Sequence, residues 1–299
     1  MKGKLNVAII QQTASSEKDV SLAITARLVS EAAEGGAQLV ILQELHTTHY
    51  FCQTEDTAIF ELAEPIPGPS SDRLAELARK HNIVLVSSLF ERRAAGLYHN
   101  TSVVFERDGR IAGKYRKMHI PDDPGFYEKF YFTPGDATET QGFKPIQTSV
   151  GKLGVLICWD QWYPEAARLM TLAGADMLIY PTAIGWDLRD DEAEKQRQRD
   201  AWVTIQRAHA VANGLPVLVA NRVGHEMDPS GQSEGTLFWG TSFIAGPQGE
   251  FIAQANTQDE CVLTAEIDME RTETVRRIWP YLRDRRVDAY GQLTRRYID

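Results

Sequence analysis

The sequence predicts an α/β protein in which helices cover sheets that are buried on their other face. Three observations carry this. Short apolar runs of strand length recur along the chain, amphipathic helical stretches alternate with them, and hairpin signals are interleaved. No Ser/Gly linker or low-complexity run divides the 299 residues, so residues 1–299 are read as one domain.

Leu5 to Gln11 reads as a buried strand. Ser16 followed by Asp19 opens a helix with Val20, Ile24 and Leu28 on one face, and Gly35-Gly36 ends it. Leu39 to Leu42 is a second short strand, making the opening a β-α-β unit. Ser71 to His81 is a helix with Leu74, Leu77 and Ala78 inward, and Ile83 to Leu89 is a strand. Thr101 to Phe105 and Ile111 to Tyr115 form a hairpin around Asp108-Gly109. His119 to Gly142, rich in Pro, Gly and aromatics, reads as a long ordered loop of the kind that serves function. Leu153 to Ile157 is a strand running into Cys158. Pro164 suits the first turn of a helix ending at Gly174. Asp176 to Tyr180 is a strand, and Asp190 to Asn213 a long helix stopped by Gly214. Strands follow at Pro216 to Ala220, Thr241 to Ala245, Glu250 to Ala255 and Val262 to Ile267. The segments "VAIIQ" and "GVLIC", each a strand followed by a helix, hint at two similar halves.

Composition narrows the function classes. Hydrophobic residues are 43% and charged residues 24%, an ordinary globular balance that excludes a disordered or collagen-like chain. Net charge is −9, from 32 basic against 41 acidic residues, which disfavours nucleic acid as a partner. No apolar run reaches the roughly 18 residues of a membrane span. Met1-Lys2-Gly3-Lys4 precedes an apolar run of only four, Val7 to Ile10, so no signal peptide is expected. Cys52, Cys158 and Cys261 are an odd, widely spaced set, expected as reduced thiols in a cytoplasmic protein. His46 and His49 lack a completing acid or Cys cluster, and no phosphate-binding Gly-rich loop occurs, so neither metal nor nucleotide cofactor is expected.

Three positions carry chemistry. Cys158 ends an apolar run, which suits a core cysteine. It also sits where a strand turns toward a helix, the place that projects a nucleophile and leaves backbone N–H groups nearby. A thiol needs a cation and a base to act. Lys114, Arg116 and Lys117 follow a strand, either as a solvated basic strand end or as that cation. Glu44 follows the strand Leu39 to Leu42, either as a loop acid or as the base.

Together the segments "LVILQELHTTHYF", "KYRKMHIPDDPGFYEKFYFTPGD" and "GVLICWDQWYPEAARLMTLAGADMLIYPTAIG" resemble the nitrilase superfamily of carbon–nitrogen hydrolases. The resemblance covers nearly the whole chain. It implies a four-layer α-β-β-α sandwich and assigns Cys158 as nucleophile, Glu44 as general base and later acid, and Lys117 as oxyanion stabiliser, helped by the N–H of Trp159. Glu128 would match an additional glutamate that positions Lys117 and the substrate; otherwise it is a loop acid paired with Lys129. The resemblance further implies hydrolysis of N-carbamoylputrescine. Gln161 and Trp162 stand where relatives acting on carbamoyl-D-amino acids carry two arginines, which disfavours an anionic substrate. Tyr50, Tyr127, Trp159 and Trp186 could line a slot for a methylene chain and stack on an ammonium, unless they pack in the core. The acidic run Asp187, Asp190, Asp191, Glu192 and Glu194 reads as a solvated helix N-terminus rather than a polyamine funnel. Alternatives are another carbamoyl-amide or aliphatic-amide hydrolase, or a non-catalytic polyamine-binding protein. The resemblance also implies a homo-oligomer, and the basic, aromatic stretch 272–299 is expected to pack on a neighbouring subunit.

Overall fold

Along β1 (Lys4–Gln11) the side chains alternate between two apolar environments: Val7 and Ile9 enter one cluster, Ala8 and Ile10 the other. That alternation is the pleat of a strand buried on both faces, and it explains the unbroken apolar runs in the sequence. The computed structural model describes residues 3–138 and 142–299.

Two six-stranded sheets result. The first contains β1, β2 (Leu39–Ile41), β3 (Val84–Ala94), β4 (Leu97–Phe105), β5 (Ile111–Arg116) and, at its other edge, β15 (Cys261–Asp268), in the order β15-β1-β2-β3-β4-β5. The second contains β6 (Ile146–Thr148), β7 (Gly151–Val155), β8 (Met177–Thr182), β10 (Val217–Asn221), β13 (Phe243–Ala245) and β14 (Phe251–Gln254), in the order β14-β13-β10-β8-β7-β6. A small third sheet joins β9 (Gly185–Asp187), β11 (Val223–Glu226) and β12 (Thr236–Trp239).

The inner faces of the two large sheets share one apolar cluster, with Val7, Ile9, Leu39 and Val86 from the first and Leu153, Ile179 and Val219 from the second. Helices α1 (Lys18–Glu34) and α2 (Pro69–His81) cover the first sheet's outer face through Leu28, Val29, Leu74 and Ala78. Helices α4 (Pro164–Leu172) and α5 (Glu192–Asn213) cover the second through Ala166, Met170, Trp202 and Ala210. The layers are therefore α-β-β-α, as the resemblance implied.

The halves share a connectivity. β1, β2 and β3 run parallel, then β4 pairs antiparallel with β3 and β5 antiparallel with β4; β7, β8 and β10 run parallel, then β13 pairs antiparallel with β10 and β14 antiparallel with β13. The sequence hint of two similar halves is thus a real repeat of topology.

Several elements differ from the sequence reading. β3 continues to Ala94 and makes a hairpin with β4, an exposed turn that apolar periodicity does not mark. β6, β9, β11 and β12 are too short to carry a period. The segment read as one loop from His119 to Gly142 holds the short helix α3 (Glu128–Tyr131), and its residues 139–141 lie outside the described residues. At the end of α5, Gly214 takes φ +59°, the left-handed conformation that stops a helix. The last helix, α6, spans Met269–Ile278.

Candidate active site

β7 ends at Val155, and three residues later Cys158 takes φ +40°, a left-handed conformation that costs a non-glycine residue about 1 kcal/mol or more. The chain there turns into a short 3₁₀ segment, Cys158–Trp162, and Pro164 then opens α4. Asp160 braces this elbow. Its Oδ2 accepts from the Ile157 N–H (2.9 Å) and the Tyr115 hydroxyl (2.7 Å), and its Oδ1 from the His119 N–H (3.0 Å) and ring nitrogen (2.6 Å). One carboxylate thereby ties the cysteine's turn to the segment that follows β5, which carries Lys117.

Glu44 leaves the end of β2, and Lys117 follows β5 directly. Neither has exposed surface. Lys117 Nζ donates to Glu44 Oε1 (2.8 Å) and to Glu128 Oε2 (2.6 Å). Glu44 Oε1 also accepts from Asn100 Nδ2 (2.7 Å), while its Oε2 is buried without a hydrogen-bond partner. Glu128 Oε1 accepts from the Tyr50 hydroxyl (2.7 Å). The cation is thus held between two carboxylates, and one carboxylate oxygen stays open.

Electrostatics follow from burial. Burial alone would lower the Lys117 pKa, but Glu128 and Glu44 overturn this and raise it well above the usual value, so the ammonium stays charged. Burial pushes the Cys158 thiol well above its usual value; the charge of Glu44 adds to this and Lys117 opposes it. A thiol in such surroundings becomes nucleophilic only once a base takes its proton. Burial also raises the Glu128 carboxyl, against the pull of Lys117. A thiol, a fixed ammonium and a carboxylate with an open oxygen are the parts that nucleophilic acyl transfer needs.

Cys158 and Glu128 line a cavity of about 510 Å³. Phe126, Trp159, Trp162 and Trp239 supply its aromatic walls, and Asp123, Asp187, Asp190 and Glu194 its acidic ones. A buried oxygen of Asp123, Oδ1, has no hydrogen-bond partner, and burial raises that carboxyl.

The family profile described as "Carbon-nitrogen hydrolase" matches residues 6–277. The chain belongs to the carbon–nitrogen hydrolase family. It is an amide-hydrolysing enzyme of the nitrilase superfamily. It is 43% identical to the N-carbamoylputrescine amidase of Solanum lycopersicum over 97% of this chain and 94% of that protein. It is 38% identical to the citrullinase of Francisella tularensis subsp. tularensis, over 98% and 99%. A crystal structure of a carbon–nitrogen hydrolase from Helicobacter pylori G27 superposes with a TM-score of 0.95 at 55% identity, over 99% and 100% of the two chains.

Within this carbon–nitrogen hydrolase, Glu44, Lys117, Cys158 and Glu128 come together, and Trp159 lines their cavity. Three residues stand elsewhere than the slot reading had them. Tyr50 has no exposed surface; it lies behind Glu128 and buttresses it. Trp186 packs behind Trp239 (ring centroids 5.5 Å apart), and its indole N–H donates to the Lys195 carbonyl. The strand period accounts for Trp186: in β9 its pleat turns it from the cavity that its neighbours Gly185 and Asp187 line. Tyr127 lines a neighbouring cleft instead. Lys114 and Arg116 both pair with buried Glu91, away from the site. Lys129 pairs loosely with Asp122 (3.9 Å), leaving Glu128 to Lys117.

The acidic run divides. Asp187, Asp190 and Glu194 reach the cavity wall, whereas Asp191 caps α5 by accepting from the Glu194 N–H. Sequence reasoning missed Asp123, Phe126 and Trp239, and it missed Asn100; Trp162, which it singled out for substrate choice, does line the cavity. Only the motif "HIPDDPGFYEK", on the loop already singled out, could have flagged Asp123 and Phe126. Among the described residues, no group of His, Cys, Asp or Glu is assembled to hold a metal ion. His46 instead meets the Thr25 and Ser87 hydroxyls, and His49 the Ala14 carbonyl.

Proposed function

We propose that this enzyme hydrolyses N-carbamoylputrescine to putrescine, carbon dioxide and ammonia through a thioester on Cys158. The observation that carries the chemistry is Glu44: one oxygen is fixed by Lys117 and Asn100, and the other is open to a proton. Glu44 takes the thiol proton as sulfur attacks the carbamoyl carbon. The oxyanion grows against Lys117 and the Trp159 N–H. Glu44 returns the proton to the departing nitrogen, and ammonia leaves. Water, deprotonated by Glu44, then releases the carboxylated amine, which loses carbon dioxide to give putrescine. Glu128, backed by Tyr50, keeps Lys117 aimed.

The cavity's charges support a cationic substrate tail. Four carboxylates stand on its wall beyond Glu128, and the one cation among its described lining residues, Arg197, already donates to Glu194 (2.6 Å). An ammonium beside Asp123 would approach a carboxylate whose Oδ1 lacks a hydrogen-bond partner. The likeness to a citrullinase favours a second reading, a ureido substrate carrying a carboxylate; the acidic wall opposes it.

Ammonia release from N-carbamoylputrescine, citrulline and carbamoyl-β-alanine tests this. We expect the first to be turned over best, and Cys158→Ala to abolish release. Preference for citrulline would replace the substrate; turnover by Cys158→Ala would sink the mechanism. We also propose a cytoplasmic single-domain protein whose 272–299 stretch packs on a neighbouring subunit. Trp279 is 51% and Tyr297 80% exposed there, large apolar surface for an isolated chain. A monomer in sizing chromatography at micromolar concentration would count against it. Among the described residues, no helix is long and apolar enough to cross a membrane.

A further inference from the structure

We propose that the buried ion pair Arg222–Glu226 is the positioning device of the site, a strut from the second sheet that fixes the loop carrying Glu44 and Tyr50. Arg222 directly follows β10, and Glu226 ends β11. Arg222 has no exposed surface, and Glu226 is 3% exposed. The guanidinium lies over the Phe238 ring, 5.4 Å from its centroid. Its Nη2 donates to the carbonyls of Glu44 (3.1 Å) and Leu45 (2.7 Å). Its Nη1 donates to the Thr48 carbonyl (2.9 Å) and to Glu226 Oε1 (2.6 Å). Glu226 Oε2 accepts from the Tyr50 N–H (2.5 Å).

The loop needs such a partner. It follows a strand of three residues, and Leu45 holds φ +47°, a conformation that leucine resists. The Glu44 N–H reaches the Thr182 carbonyl only at 3.4 Å. Without the guanidinium, the Glu44, Leu45 and Thr48 carbonyls would be buried with their Arg222 bonds unmade. A planar fork with several donors can serve three carbonyls and a carboxylate at once; a lysine ammonium could not match that geometry.

Two carboxylates inherit their place from this pair. Glu44 is held through its own carbonyl. Glu128 is held through Tyr50, whose N–H is on Glu226 and whose hydroxyl is on Glu128. Lys117 sits between the two, so the strut sets both ends of the ammonium's clamp. Arg222 and Glu226 line no part of the cavity and are positioning residues. The inference rests on the proposed roles of Glu44 and Glu128 only for its effect on turnover.

Arg222→Lys and Glu226→Gln test it, with two readouts on the full chain. The first is kcat and KM for N-carbamoylputrescine. The second is the rate of Cys158 alkylation by iodoacetamide against pH, which needs no assumption about substrate. Gln at 226 puts an amide N–H₂ against either Tyr50 or Arg222 and loses one bond. We expect kcat to fall about tenfold or more in Glu226→Gln and further in Arg222→Lys, since small misplacements of a base are costly. KM should stay within about twofold, because neither substituted residue lines the cavity. The alkylation profile should shift in both variants. A folded variant with the parent's kcat and alkylation profile would overturn the proposal. So would failure of both variants to fold, which would make the pair a stability element. A parent enzyme inert toward the carbamoyl diamine, whose alkylation still depends on Arg222, would sink the substrate and leave the strut supported.

Discussion

Matched ends of the two sheets carry different side chains. Ile9 of β1 pairs with Ile41 of β2, and Val155 of β7 with Ile179 of β8. Counting three residues past each gives Gln12 and Glu44 in the first half, Cys158 and Thr182 in the second. Gln12 is a scaffold residue: its Oε1 accepts from Thr25 and its N–H donates to Gln43. Its counterpart Cys158 adopts a positive φ, which Gln12 does not. Thr182 spends its hydroxyl on Gln161 and the Tyr180 carbonyl, whereas Glu44 faces Lys117. One backbone plan therefore offers four similar strand ends, and only two receive reactive groups. The lesson is that the repeat supplies location, and the side chain with its local backbone supplies chemistry.

Truncating the side chains at the matched ends should give the largest difference. Cys158→Ala should abolish ammonia release, a loss of about 10⁴-fold or more in kcat, with the circular dichroism spectrum unchanged. Gln12→Ala should leave a folded enzyme with kcat near the parent's and a lower urea midpoint. Equal activity losses at both positions would erase the distinction.

The next largest effect separates neighbouring lysines. Lys117→Met should lower kcat about 10²–10³-fold, as removal of an oxyanion partner does elsewhere. Lys114, on the same segment but paired with Glu91, should tolerate methionine with little change in kcat.

Asp123→Asn sharpens the substrate side. It should raise KM for a carbamoyl diamine by about tenfold and leave an uncharged carbamoyl amine unaffected, since one buried charge contact is lost. Equal effects on both substrates would remove Asp123 from tail recognition.

A last effect concerns pH and stability rather than turnover. Burial, reinforced by the charge of Arg222, lowers the His46 pKa to about 3, so the folded protein holds this ring neutral. The unfolded chain takes up its proton near pH 6.5. The His46 contribution to stability is thus fully present above that pH and is lost as pH falls toward about 3. Urea midpoints should decline across this window, and His46→Gln should flatten the decline; an unchanged slope would refute it.

Much of this was legible in the residues. Apolar runs such as Val7–Ile10 and Val155–Ile157 announce strands buried on both faces, because a two-sided strand needs no polar alternation. The three segments around Glu44, Lys117 and Cys158 could be picked out because each carries its side chain just beyond a strand, and the fold brings those side chains together. Asn100, Trp239, Arg222 and Glu226 stayed hidden. Nothing in their local sequence distinguishes a strand or loop residue that faces a cavity from one that faces solvent or core.

The sequence by itself determined the layered α/β class, the two similar halves and the three segments bearing the reactive groups, because periodicity and strand ends are local properties. Only the tertiary structure decided which oxygen of Glu44 is open, that Tyr50 buttresses rather than lines, and that one arginine from the second sheet holds a loop of the first. Those are contacts between residues far apart in the chain, such as Arg222 and Glu44, and they come into being only when the two sheets close on their shared core.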